Sequence, residues 1–492
     1  MSRSPEVASS CDRDRTASRV TQLALDYLRA EAPRLREVLR YCESLADVYK
    51  AALELLKRPC ASAADLPEAE ELVAVGEQAL ELEELEDAVK KAWPSREERN
   101  LIHENLLRTG MCSPQALMRA LESPALHRGA GEESCKLNQM LEDVGLKQLC
   151  PEAMDRLVND LHLRVRVRME IVEGSRPVLV TAPHNIFLRR DGQQAHLMEE
   201  CTTLIAQRLA RRLGGACLAW SRTEQRRSEL LWSLAKRRCK FGEADDPSLF
   251  LDPRNRDPNY LSLEEVVRNP WYEQMLRFAR MWRDDGGDTQ RLMLHVDVHG
   301  CRDPPHSPSH LTVGIAAMRY QAEAAQGQGY LTLARVEAFG AALEAELAAA
   351  LGTVDLRPRG ETLVRVLLPK VAGVDKGGLE RLSGAWAPSE RRATQSQQAV
   401  AFAGFTHSCQ LEMSRALRQA LMKDTCASAR LGTALARAWH TATHSLPALP
   451  PRALHSPGYV GGAGASAAAK GHILAGDVLQ RWNATGRASR KH

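Results

Sequence analysis

The run LMLHVDVHG, Leu292 to Gly300, sets two histidines and an aspartate among Leu, Met and Val. Alternate side chains of a strand face opposite ways, so His295, Asp297 and His299 form one row and Leu294, Val296 and Val298 the other. An apolar strand with one polar row either faces water at a sheet edge or lines a site. His299 stands where the run ends, before Gly300 and the turn-rich RDPPHSPSH. Open α/β sheets place their ligands at such C-terminal strand ends. Three other segments carry matching chemistry. His184 closes the apolar PVLVTAPHN, Glu199 and Glu200 open a helical stretch, and Glu412 lies inside the apolar HSCQLEMSRALR. Two histidines and one carboxylate are a common catalytic zinc set, with water as fourth ligand. A second carboxylate near that water can act as general base.

The elements that would position these residues are an alternating series. Short apolar strands (PVLVTA, LHVDVHG, ETLVRVLLP, SCQLEM) alternate with helical stretches such as EECTTLIAQRLARRLGG, with Leu204, Ile205, Leu209 and Leu213 on one face, and the Ala-rich ARVEAFGAALEAELAAALG. Such alternation argues for an α/β sheet with helices on its faces. LRVRVRMEIVEG alternates like a further strand. Before it, the pattern is helical throughout. Leu35, Val38, Leu39, Cys42, Leu45, Val48, Tyr49 and Leu56 make one apolar stripe, expected on one long helix. Ser95 and Glu98 form a capping box, and Ser113-Pro114 and Pro151 mark further helix starts. The expected organisation is a disordered segment over 1–20, a helical domain over 21–168, an α/β domain over 169–445 and a low-complexity tail over 446–492.

Composition narrows the function classes. Lys+Arg 66 against Asp+Glu 62 leaves a net charge of +4, too mild to argue for nucleic acid. Aromatics at 5% leave little for base stacking. Twelve cysteines without a C-x-x-C pair fit a reduced, cytoplasmic protein rather than a disulfide framework. No run approaches the ~18 apolar residues of a membrane span, so no membrane partner is expected.

Four segments, in order, resemble the N-formylglutamate amidohydrolase family, relatives of the zinc carboxypeptidases. VLVTAPHN resembles the family's opening strand with its Pro-His. WSR, Trp220 to Arg222, followed by LDPRNRD resembles its Ser-Arg and Asp-x-Asn-Arg segments. HVDVHG resembles its Asp-Leu-His-Ser, with Gly300 in place of Ser, and HSCQLEMSRALR its His-x-x-Gln-Leu-Glu strand. The resemblance covers about residues 177 to 425. It implies a zinc carboxypeptidase-like fold, a mixed sheet with helices on both faces. It implies zinc held by His184, His299 and an acid at the start of the following helix, which Glu200 matches best and Glu199 second. His196 makes a rival H-x-x-E with Glu199. Glu412 would be the general base. Asn255 and Arg256 would hold the substrate's carboxylate, and Arg222 would polarise the scissile carbonyl or bind a second carboxylate. Asp297 would support an imidazole, His295 would be a packed histidine, and His407 would sit near the base. About thirty residues separate Arg222 from Asn255, including the basic LLWSLAKRRCK, where the family has a short link.

The implied activity is zinc-dependent hydrolysis of an amide in a small carboxylate-bearing N-acyl amino acid. Two rival readings are a carboxypeptidase-like peptidase and a non-catalytic interaction protein with a degenerate hydrolase domain. The acidic stripe of the helical N-terminal region reads first as a solvated face, with a protein partner as the alternative.

Overall fold

The computed structural model describes residues 10–444, apart from 60, 94, 123–140, 143–144, 146–149, 191–192, 285–291, 308, 326–329, 357–362, 368–381 and 387–389. The expected tail over 446–492 lies outside the described residues. The chain divides into two compact units. One comprises Met1–Met169 and Ser221–Asp252, the other Glu170–Trp220 and Pro253–His492. No helix among the described residues is long and apolar enough to cross a membrane.

The first unit is helical. Its first helix, Ser10–Glu31, starts within the stretch expected to be disordered. Ala24, Leu25 and Leu28 anchor its second half in an apolar core. The stripe from Leu35 to Leu56 is not one helix. Short turns at Pro33–Leu35 and Arg36–Leu39 are followed by a new helix, Leu45–Lys57. Ser44 breaks the run by accepting the Asp47 amide in an extended N-cap conformation. Helices Leu66–Ala92, Arg96–Arg108, Pro114–Glu122 and Pro151–His162 follow, and Ser95 caps the second of these through the Glu98 amide, as its spacing predicts. LRVRV, predicted as strand, is instead a helical extension over Leu163–Val167. Arg164 bonds Asp160 one turn earlier at 2.5 Å, and Arg168 ends the turn in the left-handed region at φ 60°.

Residues 221–252 also belong to this unit, which corrects the expected boundary at residue 168. Ser221 accepts the Glu224 amide and opens the helix Arg222–Lys240. Leu230 and Leu234 of this helix join the core formed by Leu53, Ala79 and Leu80. The inserted basic helix is therefore a member of the helical unit.

The second unit is mixed α/β, built on one seven-stranded sheet. Its strands are β1 (Met169–Val172), β2 (Val178–Ala182), β3 (Ala216–Trp220), β4 (Leu294–Cys301), β5 (Leu311–Gly314), β6 (Val364–Leu367) and β7 (His407–Ser414). The order is β1-β3-β2-β4-β7-β5-β6. β3, β2, β4 and β7 run parallel, β5 pairs antiparallel with β7, and β6 parallel with β5. The parallel strands β2 and β3 are buried throughout, as their unbroken apolar runs require.

The two faces of the sheet differ in chemistry. Val178, Val180, Leu294, Val296, Val298, Cys409 and Leu411 pack on the helices Thr202–Leu213, Leu333–Leu351 and Thr425–His444. Leu204 is the exception on its helix and points outward, 49% exposed. The opposite face carries Thr181, His295, Asp297, His299, Ser408, Gln410 and Glu412, and the short helix Gln395–Gln397 packs against β4 and β7 there.

Candidate metal centre

β4 is a central strand, flanked by β2 and β7, so its polar row does not face water. His295, Asp297 and His299 are all buried. The register sets their neighbours. Thr181 of β2 is the partner of Asp297, and Ser408, Gln410 and Glu412 of β7 are the partners of His295, Asp297 and His299. The row is satisfied from its deep end outward. His295 lies between Thr181 Oγ1 at 3.0 Å and Ser408 Oγ at 2.9 Å, a packed histidine as expected. Thr181 also donates to Asp297 Oδ1 at 2.7 Å, and Asp297 Oδ2 meets His299 Nε2 at 2.8 Å.

His184 lies two residues beyond β2, at the same C-terminal edge. Its Nδ1 is 3.0 Å from His299 Nδ1 and 3.0 Å from Glu199 Oε1. Its Nε2 is 2.9 Å from Asp257 Oδ1. His184, Glu199 and His299 form a buried group whose ligating atoms lie within 4.8 Å of one another, close enough to hold one metal ion. Each imidazole turns Nδ1 inward and leaves Nε2 to an aspartate, the arrangement that fixes ring orientation in metal-bound histidines.

The acid of this group is Glu199, which replaces Glu200 as the ligand candidate. Neither residue lies on the helix, which starts at Thr202 after Cys201 in the left-handed region at φ 71°. Glu199 is fixed inward by three contacts. Its amide donates to His184 O at 2.8 Å, and its carboxylate accepts the Gly300 amide at 2.7 Å and faces both histidines. The next side chain points the other way. Glu200 is 54% exposed and pairs with Arg415 at 3.3 Å. His196 reaches Glu199 Oε1 at 3.2 Å but stands outside the three-residue group.

The electrostatics favour a cation. Asp257 and Glu199 raise the His184 imidazole to about 10 against the opposing effect of burial. Asp297 raises His299 in the same way. Both acids beside His184 are held well below the usual carboxylate range, against their burial, by that imidazole. Three buried carboxylates around two rings thus concentrate negative potential where the Nδ1 atoms meet. Glu412 behaves oppositely. Burial, reinforced by the Glu199 charge and opposed by His299, pushes it up to about 7. Gln410 Nε2 donates to Glu412 Oε1 at 2.6 Å.

The other sequence-predicted residues are distributed differently. Arg222 is exposed and starts a helix of the helical unit, not of the unit that holds the histidines. Arg256 bonds Glu265. Asn255 is fully buried, and among the described residues neither amide atom of its side chain has a hydrogen-bond partner. His407 is at the start of β7 on the opposite sheet face from Glu412, against Phe339 and Trp439. An odd separation along a strand forbids a shared face. Gly300 has a local reason: a Cβ there would lie 2.1 Å from Arg418 Nη1, which donates to Met413 O at 2.6 Å.

Three residues were missed in the sequence. Asp257 supports His184, Asn259 Nδ2 lies 3.2 Å from His299 Nε2, and Arg190 donates to Asp257 Oδ2 at 2.6 Å. Asp257 follows Arg256 directly and Asn259 lies two residues beyond Asp257, so reading one residue past the Asn-Arg pair would have found the first of them.

No protein-family model and no curated protein matches the chain. Among solved structures, gene product Atu2144 from Agrobacterium tumefaciens is similar at 12% identity and a TM-score of 0.30, over 56% of this chain and 94% of that one.

Proposed function

We propose that the chain is a zinc-dependent amidohydrolase of the N-formylglutamate amidohydrolase kind, on a carboxypeptidase-like sheet, acting on a small carboxylate-bearing N-acyl amino acid. The observation that carries this reading is the convergence of His184 Nδ1, His299 Nδ1 and the Glu199 carboxylate, each ring backed by an aspartate. Two imidazoles and one carboxylate are a donor set suited to catalytic zinc. His184, Glu199 and His299 would hold the ion.

Bound there, zinc would acidify a water and polarise the scissile carbonyl. The chain's own part is proton handling and orientation. Asp257 and Asp297 accept the Nε2–H of their histidines and so keep both Nδ1 lone pairs turned inward. Glu412, next to His299 across the β4–β7 register, takes a proton from the attacking water. It returns that proton to the leaving amine nitrogen as the C–N bond breaks, giving a carboxylic acid and an amine. A buried carboxyl beside the ligand set suits both halves of this exchange. Burial keeps bulk water from Glu412 and the histidines.

The test is metal analysis of the purified chain together with turnover of N-formyl and N-acetyl amino acids. About one zinc per chain and release of free amino acid are expected. A chain that retains no metal after zinc loading would overturn the reading and favour the non-catalytic interaction protein. Release of C-terminal residues from peptides, with N-acyl amino acids untouched, would favour the peptidase.

A further inference from the structure

Beside the histidine pair stands a cluster of two cations and two aromatic rings. The Arg190 guanidinium lies 3.9 Å from the centre of the Tyr260 ring, and the Arg392 guanidinium lies 5.5 Å from it. Trp386 meets Tyr260 edge-on at 4.9 Å, and Arg392 lies 6.0 Å from the Trp386 ring. The cluster is tied to the metal centre through Asn259. That residue's carbonyl accepts Trp386 Nε1 at 2.7 Å, and its Oδ1 accepts the Gln395 amide at 2.6 Å, three residues after Arg392. Its Nδ2 lies 3.2 Å from His299 Nε2 and 3.5 Å from His184 Nε2.

The arginines differ in their partners. Arg190 bonds Asp257, Arg391 bonds Glu264 at 2.8 Å, and Arg256 bonds Glu265. Arg392 has aromatic contacts but no carboxylate within ion-pair distance among the described residues. A half-buried guanidinium held over rings leaves its N–H edge for an in-plane ligand, and a carboxylate fits that edge with two parallel hydrogen bonds. A second feature calls for a ligand in the same segment. Gln395 is fully buried, and among the described residues neither its amide nitrogen nor its amide oxygen has a hydrogen-bond partner. A buried carboxamide left unpaired is costly, and an amide-bearing ligand offers it both a donor and an acceptor.

We infer that Arg392, oriented by Tyr260 and Trp386, is the residue that holds the substrate's free carboxylate, with Gln395 pairing the amide beside it. This rests on the amidohydrolase reading and moves carboxylate recognition away from Arg256 and Arg222. Arg190 adds positive potential while remaining bound to Asp257. A planar monoanion is the occupant favoured, because Arg392 is the one guanidinium of the four without a described acidic partner.

The experiment measures binding of a panel of N-acetyl amino acids to the full chain by calorimetry, beside the same panel as C-terminal carboxamides. The wild type should bind its best carboxylate about ten- to a hundredfold tighter than the matching amide. Arg392→Met should bind the two equally, with metal content unchanged. Arg392→Lys should recover part of the preference, since it keeps the charge and loses the fork. No carboxylate preference in the wild type, or an undiminished preference in Arg392→Met, would overturn the assignment. So would inorganic phosphate competing more strongly than acetate. If carboxylates bind preferentially through Arg392 while the zinc-loaded chain hydrolyses none of them, the hydrolase reading fails and the subsite stands. If acids and amides are hydrolysed alike, the reverse holds.

Discussion

His299 and Glu412 are register partners on the parallel strands β4 and β7. One residue faces the point where two imidazoles and Glu199 converge, and the other sets a buried carboxyl on the neighbouring strand. The pairing is set by strand register, so it needs no mobile loop to form. A one-residue slip of β7 would send Glu412 to the apolar face.

Glu412→Gln keeps size and strand packing but removes the proton acceptor. Zinc content should stay at wild-type level, because Glu412 is outside the ligating group. Turnover should fall by at least ~10². Unchanged turnover with intact zinc would remove Glu412 from the mechanism.

Glu199 and Glu200 give opposite expectations despite being neighbours. Glu199→Gln should reduce bound zinc well below one per chain, measured by atomic absorption after dialysis. Glu200→Gln loses only an exposed pair with Arg415, worth ~0–1 kcal/mol, and should keep its metal. Equal metal loss in both would contradict the inward orientation of Glu199.

Asp257→Asn and Asp297→Asn preserve shape while weakening the support of one imidazole each. Zinc affinity should drop by ~10- to 100-fold in each variant. Competition against a chelator provides the readout. Tight binding unchanged in both would mean that the aspartates do not position the rings.

Leu230 reports on the unit to which the inserted helix belongs. Leu230→Ala removes a fully buried side chain from the helical core and should cost ~2–5 kcal/mol in denaturant unfolding of that unit. A chain beginning at Met169 would keep Leu230 and Leu234 without that core, so it should aggregate. Ala replacement of both leucines should restore part of its solubility. A soluble, monomeric truncation with the native leucines would argue against this assignment.

Acid should destabilise the chain through its buried neutral histidines. Burial lowers His103 to about 4 and His407 to about 3, from 6.5 for a free imidazole. The unfolded chain therefore binds more protons than the folded one between these values. The contribution of these two histidines is intact above about 6.5 and is lost as pH falls from there toward the folded values. Denaturant midpoints should drop between about pH 7 and about pH 5, and His407→Gln should shrink the drop. An identical pH slope in that variant would show that His407 does not contribute.

The sheet and the polar row were legible because both follow simple periods. An unbroken apolar run marked β2, and alternation separated His295, Asp297 and His299 from the Val row, whereas the short ACLAW run of β3 was passed over. Glu199 could not be separated from Glu200, because both lie before the helix start at Thr202, outside any regular period, and only contacts with His184 and Gly300 turn the first one inward. Asp257 and Asn259 lie in a loop, where no period shows which way a side chain points. The stretch LRVRV satisfied a strand pattern while Arg164 and Asp160 completed a helical turn. An amphipathic stripe on residues 222–240 shows that the helix packs, but not which body it packs into.

The helical unit is written in two pieces, with β1 to β3 of the other unit between them. On a ribosome the first piece emerges early yet lacks Leu230 and Leu234, which arrive only after β3. Domains generally fold as units during synthesis, N-terminal first. Here that order is interrupted, since neither unit is complete when residue 169 or residue 220 appears. The nascent helices must wait, with apolar surface uncovered, until residue 252 is made. The sheet waits longer, because β4 and β7, which bring His299 and Glu412 to the site, are synthesised last among its central strands. A chain stalled before residue 252 would therefore be a substrate for holding chaperones rather than a half-finished fold.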